Sequence, residues 1–313
     1  MQIGIIGAGA VGAASAFSLM MKGIARKIIL VDINEKRALA EAEDIAHAAP
    51  FADANKIKAG NYSNLKNCEI IIITAGANQK QGESRTELLE RNVKIFADII
   101  PQIAKYAPEA IIIVATNPVD VMTYVTLKIG NFDPQKVIGS GTVLDTARFR
   151  TDLGYHLGVS PKSIHANVLG EHGDSEVICW SNGDAGTLSL QTLAEKSGCP
   201  LTTEIKKKIE DDVRNAAYRI IEGKGATCYG IAGAITRICQ AIISNEYAVL
   251  TVSSYLPQAA GTKNVCLSLP AVVGKRGIHK VLYPELDALE TQQLAASAEK
   301  IKNLMTEADK LLA

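Results

Sequence analysis

Residues 2–32, QIGIIGAGAVGAASAFSLMMKGIARKIILVD, constrain the fold more tightly than any other stretch of the chain. An apolar run, Ile3 to Ile6, leads into Gly7-Ala8-Gly9-Ala10-Val11-Gly12. A helical apolar pattern follows, and a second apolar run, Ile28 to Val31, ends on Asp32. The order is strand, glycine turn, helix, and strand closed by an acid. Gly7 permits a tight turn off the strand, Gly9 lets a pyrophosphate approach the backbone, and Gly12 lets helix and strand pack closely. The pyrophosphate is expected on the helix N-terminus, where unpaired N–H groups and the helix dipole favour an anion. Asp32 lies twenty residues beyond Gly12, the right spacing for a carboxylate that accepts hydrogen bonds from an adenosine ribose. Its charge repels a 2′-phosphate, so the expected nucleotide is NAD rather than NADP.

The stretch from Ile3 to Met21 carries no charge and is long enough to imitate a membrane helix or a signal peptide. No Lys or Arg precedes it, four glycines interrupt its first half, and no small-residue cleavage site follows. A soluble, untargeted cytoplasmic protein is therefore expected. The 33 basic and 33 acidic residues balance, which removes the electrostatic argument for nucleic acid or a membrane surface as partner. Six cysteines include no CxxC pair and five histidines no HxH or HExxH pattern, so no metal site and no disulfide framework is expected.

The first half alternates β-branched runs with amphipathic segments. Strands are expected over 57–59, 69–74, 110–115 and 136–138, and helices over 35–48, 84–106 and 118–129. Six strand-like runs by about residue 140 imply βαβ crossovers and a doubly wound parallel sheet of the Rossmann type. The ligand crevice of such a sheet lies beyond the carboxyl ends of its strands. Gly7 to Gly12, Asp32, Thr74-Ala75-Gly76 and Thr116-Asn117-Pro118 are thus prime site candidates. The second half interleaves helices (145–157, 202–222, 227–243, 285–311) with strands (163–168, 176–180, 247–255, 265–273), an α+β pattern. The expected division is 1–140 for an NAD-binding domain and 141–313 for a substrate domain, joined without a flexible linker into one compact unit.

Three further segments carry chemistry. The polar loop Ala77 to Arg85 contains a glycine hinge and an arginine, as a closing lid needs. In Leu144-Asp145-Thr146-Ala147-Arg148-Phe149-Arg150, Asp145 and Arg148 stand three apart and share a helix face. In Gly170-Glu171-His172-Gly173-Asp174 a histidine sits in a turn after a strand. Separately these read as a solvated loop with an N-cap, a surface ion pair and a turn residue. Combined, they offer an imidazole that exchanges protons near neutral pH, a carboxylate to fix its tautomer, and two guanidinium groups. An α-keto acid requires such a pair of cations, one gripping its carboxylate and the other polarising its keto oxygen.

GAGAVG, TAGANQKQGESR, TNPVDV, GSGTVLDTARFR, GEHGDSE and KGATCYGIA, spread over nearly the whole chain, resemble the successive motifs of the L-lactate/L-malate dehydrogenase family, its bacterial lactate members in particular. The resemblance implies His172 as proton donor and acceptor, Asp145 as its orienting partner, Arg148 on the substrate carboxylate and Arg85 on the carbonyl. It implies Asn117 and Thr227 in the substrate pocket and Ile231 against the nicotinamide. Cofactor contacts are expected from Gly7, Gly9, Ala10, Val11, Gly12, Asp32, Gly76, Ala77, Ala115, Asn117 and Ile231. Gln79 stands where lactate enzymes carry glutamine and malate enzymes arginine. A neutral amide leaves the second carboxylate of oxaloacetate unpaired in a closed site, whereas a methyl group suffers nothing. Gln81 and Cys228 depart from the usual residues of relatives, and no N-terminal arm of the vertebrate kind is expected, since Met1-Gln2-Ile3 leads directly into the first strand.

The expected activity is NADH-dependent reduction of pyruvate to L-lactate and its reverse. The alternatives are a dehydrogenase of larger 2-keto acids, a malate dehydrogenase, and a redox-sensing or structural protein without turnover. Loss of one of His172, Asp145, Arg148 or Arg85 would mark the last, and all four are present. The resemblance also implies a homotetramer, a dimer of dimers. Arg150 and His165 match the positions that bind fructose 1,6-bisphosphate across a subunit interface in allosteric members. Their plainer readings are an interface salt bridge and a strand histidine.

Overall fold

Ile70–Ile73 and Ile111–Val114 consist entirely of branched aliphatic residues, and every one of them is buried. Strands of that composition are stable only with both faces covered, as in a parallel sheet between helical layers. The computed structural model, which describes residues 1–52, 56–77 and 85–312 and only the backbone of Arg85, has this architecture. Strands β1 (Gln2–Ile6), β2 (Lys27–Val31), β3 (Lys56–Ala59), β4 (Ile70–Ile73), β5 (Ile111–Val114) and β6 (Val137–Gly139) stand in the order β3-β2-β1-β4-β5-β6. All pair in parallel. The connecting helices are α1 (Ala10–Met21), α2 (Glu35–His47), α3 (Arg85–Tyr106) and α4 (Val119–Gly130).

Alternation along the strands divides the core in two. Ile71 and Ile73 join one cluster with Leu89 and Phe96 of α3 and Val121 and Val125 of α4. Ile70 and Ile72 join the other, with Leu19 and Met20 of α1 and Ile45 of α2. Successive residues of a strand point to opposite faces, so each isoleucine pair serves both layers.

The second half begins, after a three-residue link from β6, with α5 (Val143–Leu157) and continues through β7 (Ile164–Leu169), β8 (Val177–Ala185), β9 (Leu188–Ser189), α6 (Leu190–Lys196) and α7 (Thr203–Lys224). It ends with α8 (Tyr229–Ile243), β10 (Ala248–Ala259), β11 (Thr262–Gly274), β12 (Gly277–Val281) and α9 (Ala288–Leu312). Strands β7 to β9 form a small antiparallel sheet over a third core built on Phe149, Leu153, Ile178 and Val213. Strands β10 to β12 do not form a sheet of their own. They extend the parallel sheet to nine strands through the pairing of Ser253 with Gly139.

Helices of the second half also complete the layers over the first. Ile235 and Ile238 of α8 pack into the cluster of α1, while Leu294 and Ile301 of α9 pack into that of α3 and α4. The pattern reading misses β9, β12 and α6, and truncates β8, β10 and β11. It also begins a helix at Thr227, whereas α8 starts at Tyr229 and leaves Thr227 and Cys228 in the link. The strand truncation has a local cause. The turn between β10 and β11 is Ala260-Gly261, both at positive φ (47° and 83°), and alanine is not a turn residue by composition.

Left-handed backbone disfavours alanine, and Asn-Gly is the preferred pair for this turn. Ala260→Asn is therefore expected to stabilise the fold by about 0.5–1 kcal/mol. A urea-unfolding midpoint that rises at unchanged slope is the expected result.

Candidate active site

The glycine turn between β1 and α1 is held by contacts that tolerate no side chain at two of its positions. Gly7 lies at φ 104°, and a Cβ there would stand 2.5 Å from the Ala75 amide nitrogen. A Cβ on Gly12 would stand 1.9 Å from the Gly7 carbonyl oxygen. Gly9 differs, because a Cβ there would have no atom within 4 Å. Its missing side chain leaves open space before α1, whose first turn holds no acid and whose N-cap, Gly9 itself, offers no side chain to the amides. Such a cradle fits an anion of diphosphate size. At the end of β2, the Asp32 carboxylate accepts hydrogen bonds from the Ala8 amide (2.6 Å) and the Asn34 amide (2.8 Å). Those two bonds orient it beside the glycine turn, with lone pairs to spare for a ribose hydroxyl.

The ends of β4 and β5 are braced by a residue that the sequence reading overlooked. Asn92 of α3 is fully buried; its Oδ1 accepts from the Ala77 amide (2.7 Å) and its Nδ2 donates to the Asn117 carbonyl (2.8 Å). Thr116 donates its hydroxyl to the Ala75 carbonyl at 2.7 Å. Gly76, Ala77 and Asn117 are thus fixed as one rim, with the Asn117–Pro118 peptide cis. Asn92 sits in the apolar stripe of Leu89, Val93, Phe96 and Ile100, and an amide within such a stripe was the available signal. Val11, Ala115 and Ile231 all pack against the same apolar cluster on the α1 side of the sheet.

His172 and Asp145, 27 residues apart, meet beyond this rim. Asp145, in the first turn of α5, is 1% exposed, and its Oδ2 lies 2.5 Å from His172 Nδ1. Its other oxygen accepts from Arg148 Nη1 at 2.8 Å, so the carboxylate is shared between the two groups. Burial opposes a charge on Asp145, but His172 and Arg148 outweigh it and hold the carboxyl below its ordinary pKa. Burial likewise works against the imidazolium. The charge of Asp145 and the hydrogen bond to it, with Asp120 and Glu176 adding to them, overcome that penalty and raise the His172 pKa to about 9. With Nδ1 engaged, Nε2 is the nitrogen left to exchange a proton with a bound molecule.

Two more carboxyl groups complete the surroundings, and neither was singled out from sequence. Asp120, 1% exposed in the first turn of α4, accepts the His172 backbone amide at 2.9 Å and the Ser268 hydroxyl at 3.3 Å. Burial raises its pKa to about 6. Glu176 is 5% exposed, and its Oε1 has no hydrogen-bond partner among the described residues. Burial, followed by the charge of Asp145, raises its pKa to about 8.

The remaining candidates are distributed as follows. Thr227 lies half-buried in the link between α7 and α8. Arg85 opens α3, while Gln79 and Gln81 lie outside the described residues. Arg150 donates from Nε to the Ala166 carbonyl (2.8 Å) and from Nη2 to Asn167 Oδ1 (3.1 Å), which ties it to β7 next to the exposed His165.

Residues 1–139 match the family model of the lactate/malate dehydrogenase NAD-binding domain, and residues 142–312 that of the family's α/β C-terminal domain. An L-lactate dehydrogenase of Thermus aquaticus is 49% identical over 96% of this chain and 97% of its own length. One of Allorhizobium ampelinum is also 49% identical, over 97% of this chain and 98% of its own. Among solved structures, a lactate dehydrogenase from a Medee basin deep-sea metagenome library superposes with a TM-score of 0.94 at 36% identity, covering 98% of both chains. The minor L-lactate dehydrogenase of Enterococcus mundtii does so with 0.94 at 35%, covering 97% of both.

Replacing Asn92 by alanine would leave the Ala77 amide and the Asn117 carbonyl without their buried partner. An unsatisfied buried group costs about 1–3 kcal/mol. Asn92→Ala is expected to weaken NADH binding about tenfold or more, read by fluorescence titration. Unchanged affinity would mean that the rim is held by other contacts.

Proposed function

The chain belongs to the lactate/malate dehydrogenase family, and from that premise we propose that it reduces pyruvate to L-lactate with NADH and runs the reverse with NAD, in fermentative and glycolytic metabolism. The observation that carries this reading is the His172–Asp145–Arg148 cluster at the carboxyl end of an NAD-binding sheet. The division of labour follows the two halves, 1–140 for the nucleotide and 141–313 for the substrate.

Gly7, Gly9, Ala10, Val11, Gly12 and Asp32 would hold the adenosine and pyrophosphate of NAD, and Gly76, Ala77, Ala115, Asn117 and Ile231 its nicotinamide end. When bound, NADH supplies the hydride that the keto carbon accepts. His172 Nε2 donates the proton to the keto oxygen, so that the carbonyl becomes the hydroxyl of lactate. Asp145 holds the imidazole by Nδ1 and stabilises its charged form. Arg148 grips the substrate carboxylate with the N–H groups not given to Asp145. Arg85 polarises the carbonyl as negative charge gathers on its oxygen. Asn117 and Thr227 line the pocket. Gln79 rejects a second carboxylate, which favours pyruvate over oxaloacetate and agrees with the names of the relatives. We place the enzyme in the cytoplasm; no helix among the described residues is long and apolar enough to cross a membrane.

Steady-state rates test the reading. Pyruvate should exceed oxaloacetate and 2-oxoisocaproate in kcat/KM, and His172→Asn should lower pyruvate turnover about a hundred- to ten-thousandfold while NADH binding persists. The pH dependence has a definite sign. Reduction needs protonated His172, so its kcat/KM should stay level through neutrality and fall above about pH 9. Lactate oxidation needs the neutral imidazole and should rise toward the same pH. Retention of more than about a tenth of turnover in His172→Asn would remove the proton-donor role.

We propose further that the enzyme is a homotetramer, a dimer of dimers, which fructose 1,6-bisphosphate activates at Arg150 and His165. Arg150 is tied to Ala166 and Asn167 of β7, the residues that follow His165, and the two residues make the candidate patch. Facing a partner's patch, it would repel and bias the dimer against the active packing, and a bisphosphate would reverse that bias. The pyruvate saturation curve should be sigmoid without the effector and hyperbolic with it. Arg150→Gln should abolish the response. A hyperbolic curve unaltered by millimolar bisphosphate would return both residues to structural roles.

A further inference from the structure

We propose that Lys300, on the outer helix α9, is a positioning residue for His172, acting through its ion pair with Glu171. The proposal rests on His172 being the proton donor. Glu171 immediately precedes His172 in the chain and has a side chain only 6% exposed. Its Oε2 accepts from Lys300 Nζ at 2.6 Å, from the Ser175 hydroxyl at 2.5 Å and from the Ser175 amide at 3.2 Å. The segment Gly170–Ser175 is thereby closed on itself, with His172 inside the ring.

A second set of contacts seats that ring on the same helix. Ser297, one turn before Lys300, accepts from the Glu171 amide (2.8 Å), and its own hydroxyl lies 3.2 Å from the Ser175 oxygen, to which it can donate. Gly170, at φ 89°, comes so close that a Cβ would stand 2.7 Å from the Ser297 hydroxyl. Helix α9 therefore touches the residues on both sides of His172 with two side chains of one face.

The imidazole itself is held by Asp145 of α5, and its backbone amide by Asp120 of α4. Those bonds set the ring only if the backbone beneath it stays in place. Lys300 carries that part. A carboxylate as enclosed as that of Glu171 is tolerated only with a cation on it. Without the ammonium, Oε2 of Glu171 loses its charged donor, the hold on Ser175 weakens, and the His172 backbone shifts. A displacement of about 1 Å at a reacting group costs up to about a hundredfold in rate. Among the described residues the Lys300 ammonium bonds to Glu171 and to no group of the glycine cradle or of the rim braced by Asn92, so nucleotide binding should be spared.

The test compares wild type, Lys300→Met, Lys300→Arg, Ser175→Ala and His172→Asn in one pyruvate-reduction assay, with NADH affinity measured separately. Lys300→Met is expected to lose about ten- to a hundredfold in kcat, with the KM for pyruvate and the Kd for NADH within about twofold of wild type. Lys300→Arg, which restores the cation, should recover most of kcat. Ser175→Ala leaves the ion pair intact, so it reports on the ring even if Lys300→Met does not fold, and it should lose about tenfold in kcat. A kcat within about twofold of wild type in Lys300→Met or Ser175→Ala, or an NADH affinity that falls in proportion to kcat, would overturn the proposal. His172→Asn separates the two readings. If it is inactive while Lys300→Met is unimpaired, only the positioning role falls. If it remains active, the proton-donor role falls and this proposal with it.

Discussion

A carboxylate sealed inside a protein is tolerated only if its charge is answered, and the second half of this chain is arranged around one such group. Asp145 is 1% exposed and takes His172 on one oxygen and Arg148 on the other. Removing a partner from a buried pair of this kind costs about 3–5 kcal/mol, because the remaining charge stays uncompensated. That constraint reaches outward. It requires α5 to begin close beyond β6, so that Asp145 in its first turn sits at the carboxyl end of the sheet. It also requires the segment after β7 to return to that point, carrying His172.

The shared sheet is what makes this return accurate. If the second half were a separate body on a linker, His172 and the nucleotide cradle would be related only by an interface. Instead β10 pairs with β6, α8 covers the face packed by α1, and α9 covers the face packed by α3 and α4. Ser268 of β11 binds both the Asp120 carboxylate and, through its backbone, Gly170 at 2.9 Å and 3.1 Å. The segment that carries His172 is thus fastened to the strands that extend the nucleotide-binding sheet. Side chains held by packed elements keep their geometry better than those on free loops.

The parallel sheet was legible in the sequence because its strands are buried on both faces and read as unbroken aliphatic runs. The helices between them were legible from their 3.6-residue period. The continuity of the sheet was not, since it rests on a single cross-half pair between Gly139 and Ser253, 114 residues apart in sequence and without a local signature. The same contrast holds in the site. His172, Asp145 and Arg148 stand in polar motifs that interrupt apolar patterns, and the glycine turn announces itself by spacing. Asn92 and Asp120 lie within helices and bind backbone groups, so their function depends on what the fold brings near. Glu171 and Lys300 are 129 residues apart, and α9 reads from its sequence as an ordinary amphipathic helix.

The group of three carboxyls around one imidazole raises the question of how such a site admits an anionic substrate. Were Asp145, Asp120 and Glu176 all ionised, they would outnumber the cations of His172 and Arg148, and a substrate carboxylate would meet net repulsion. Their environments divide the titration instead. Asp145, with two cations on it, stays charged. Glu176, enclosed and with Oε1 lacking a hydrogen-bond partner among the described residues, has its pKa raised to about 8 by burial and by the charge of Asp145, so its negative charge is weakened near neutrality. Asp120, at about 6, answers the imidazolium from the backbone side. The N–H groups of Arg148 not given to Asp145 are available to an incoming carboxylate. The unpartnered glutamate is therefore consistent with the chemistry. With its pKa raised by burial, it sets less negative charge against a keto acid than an exposed glutamate would.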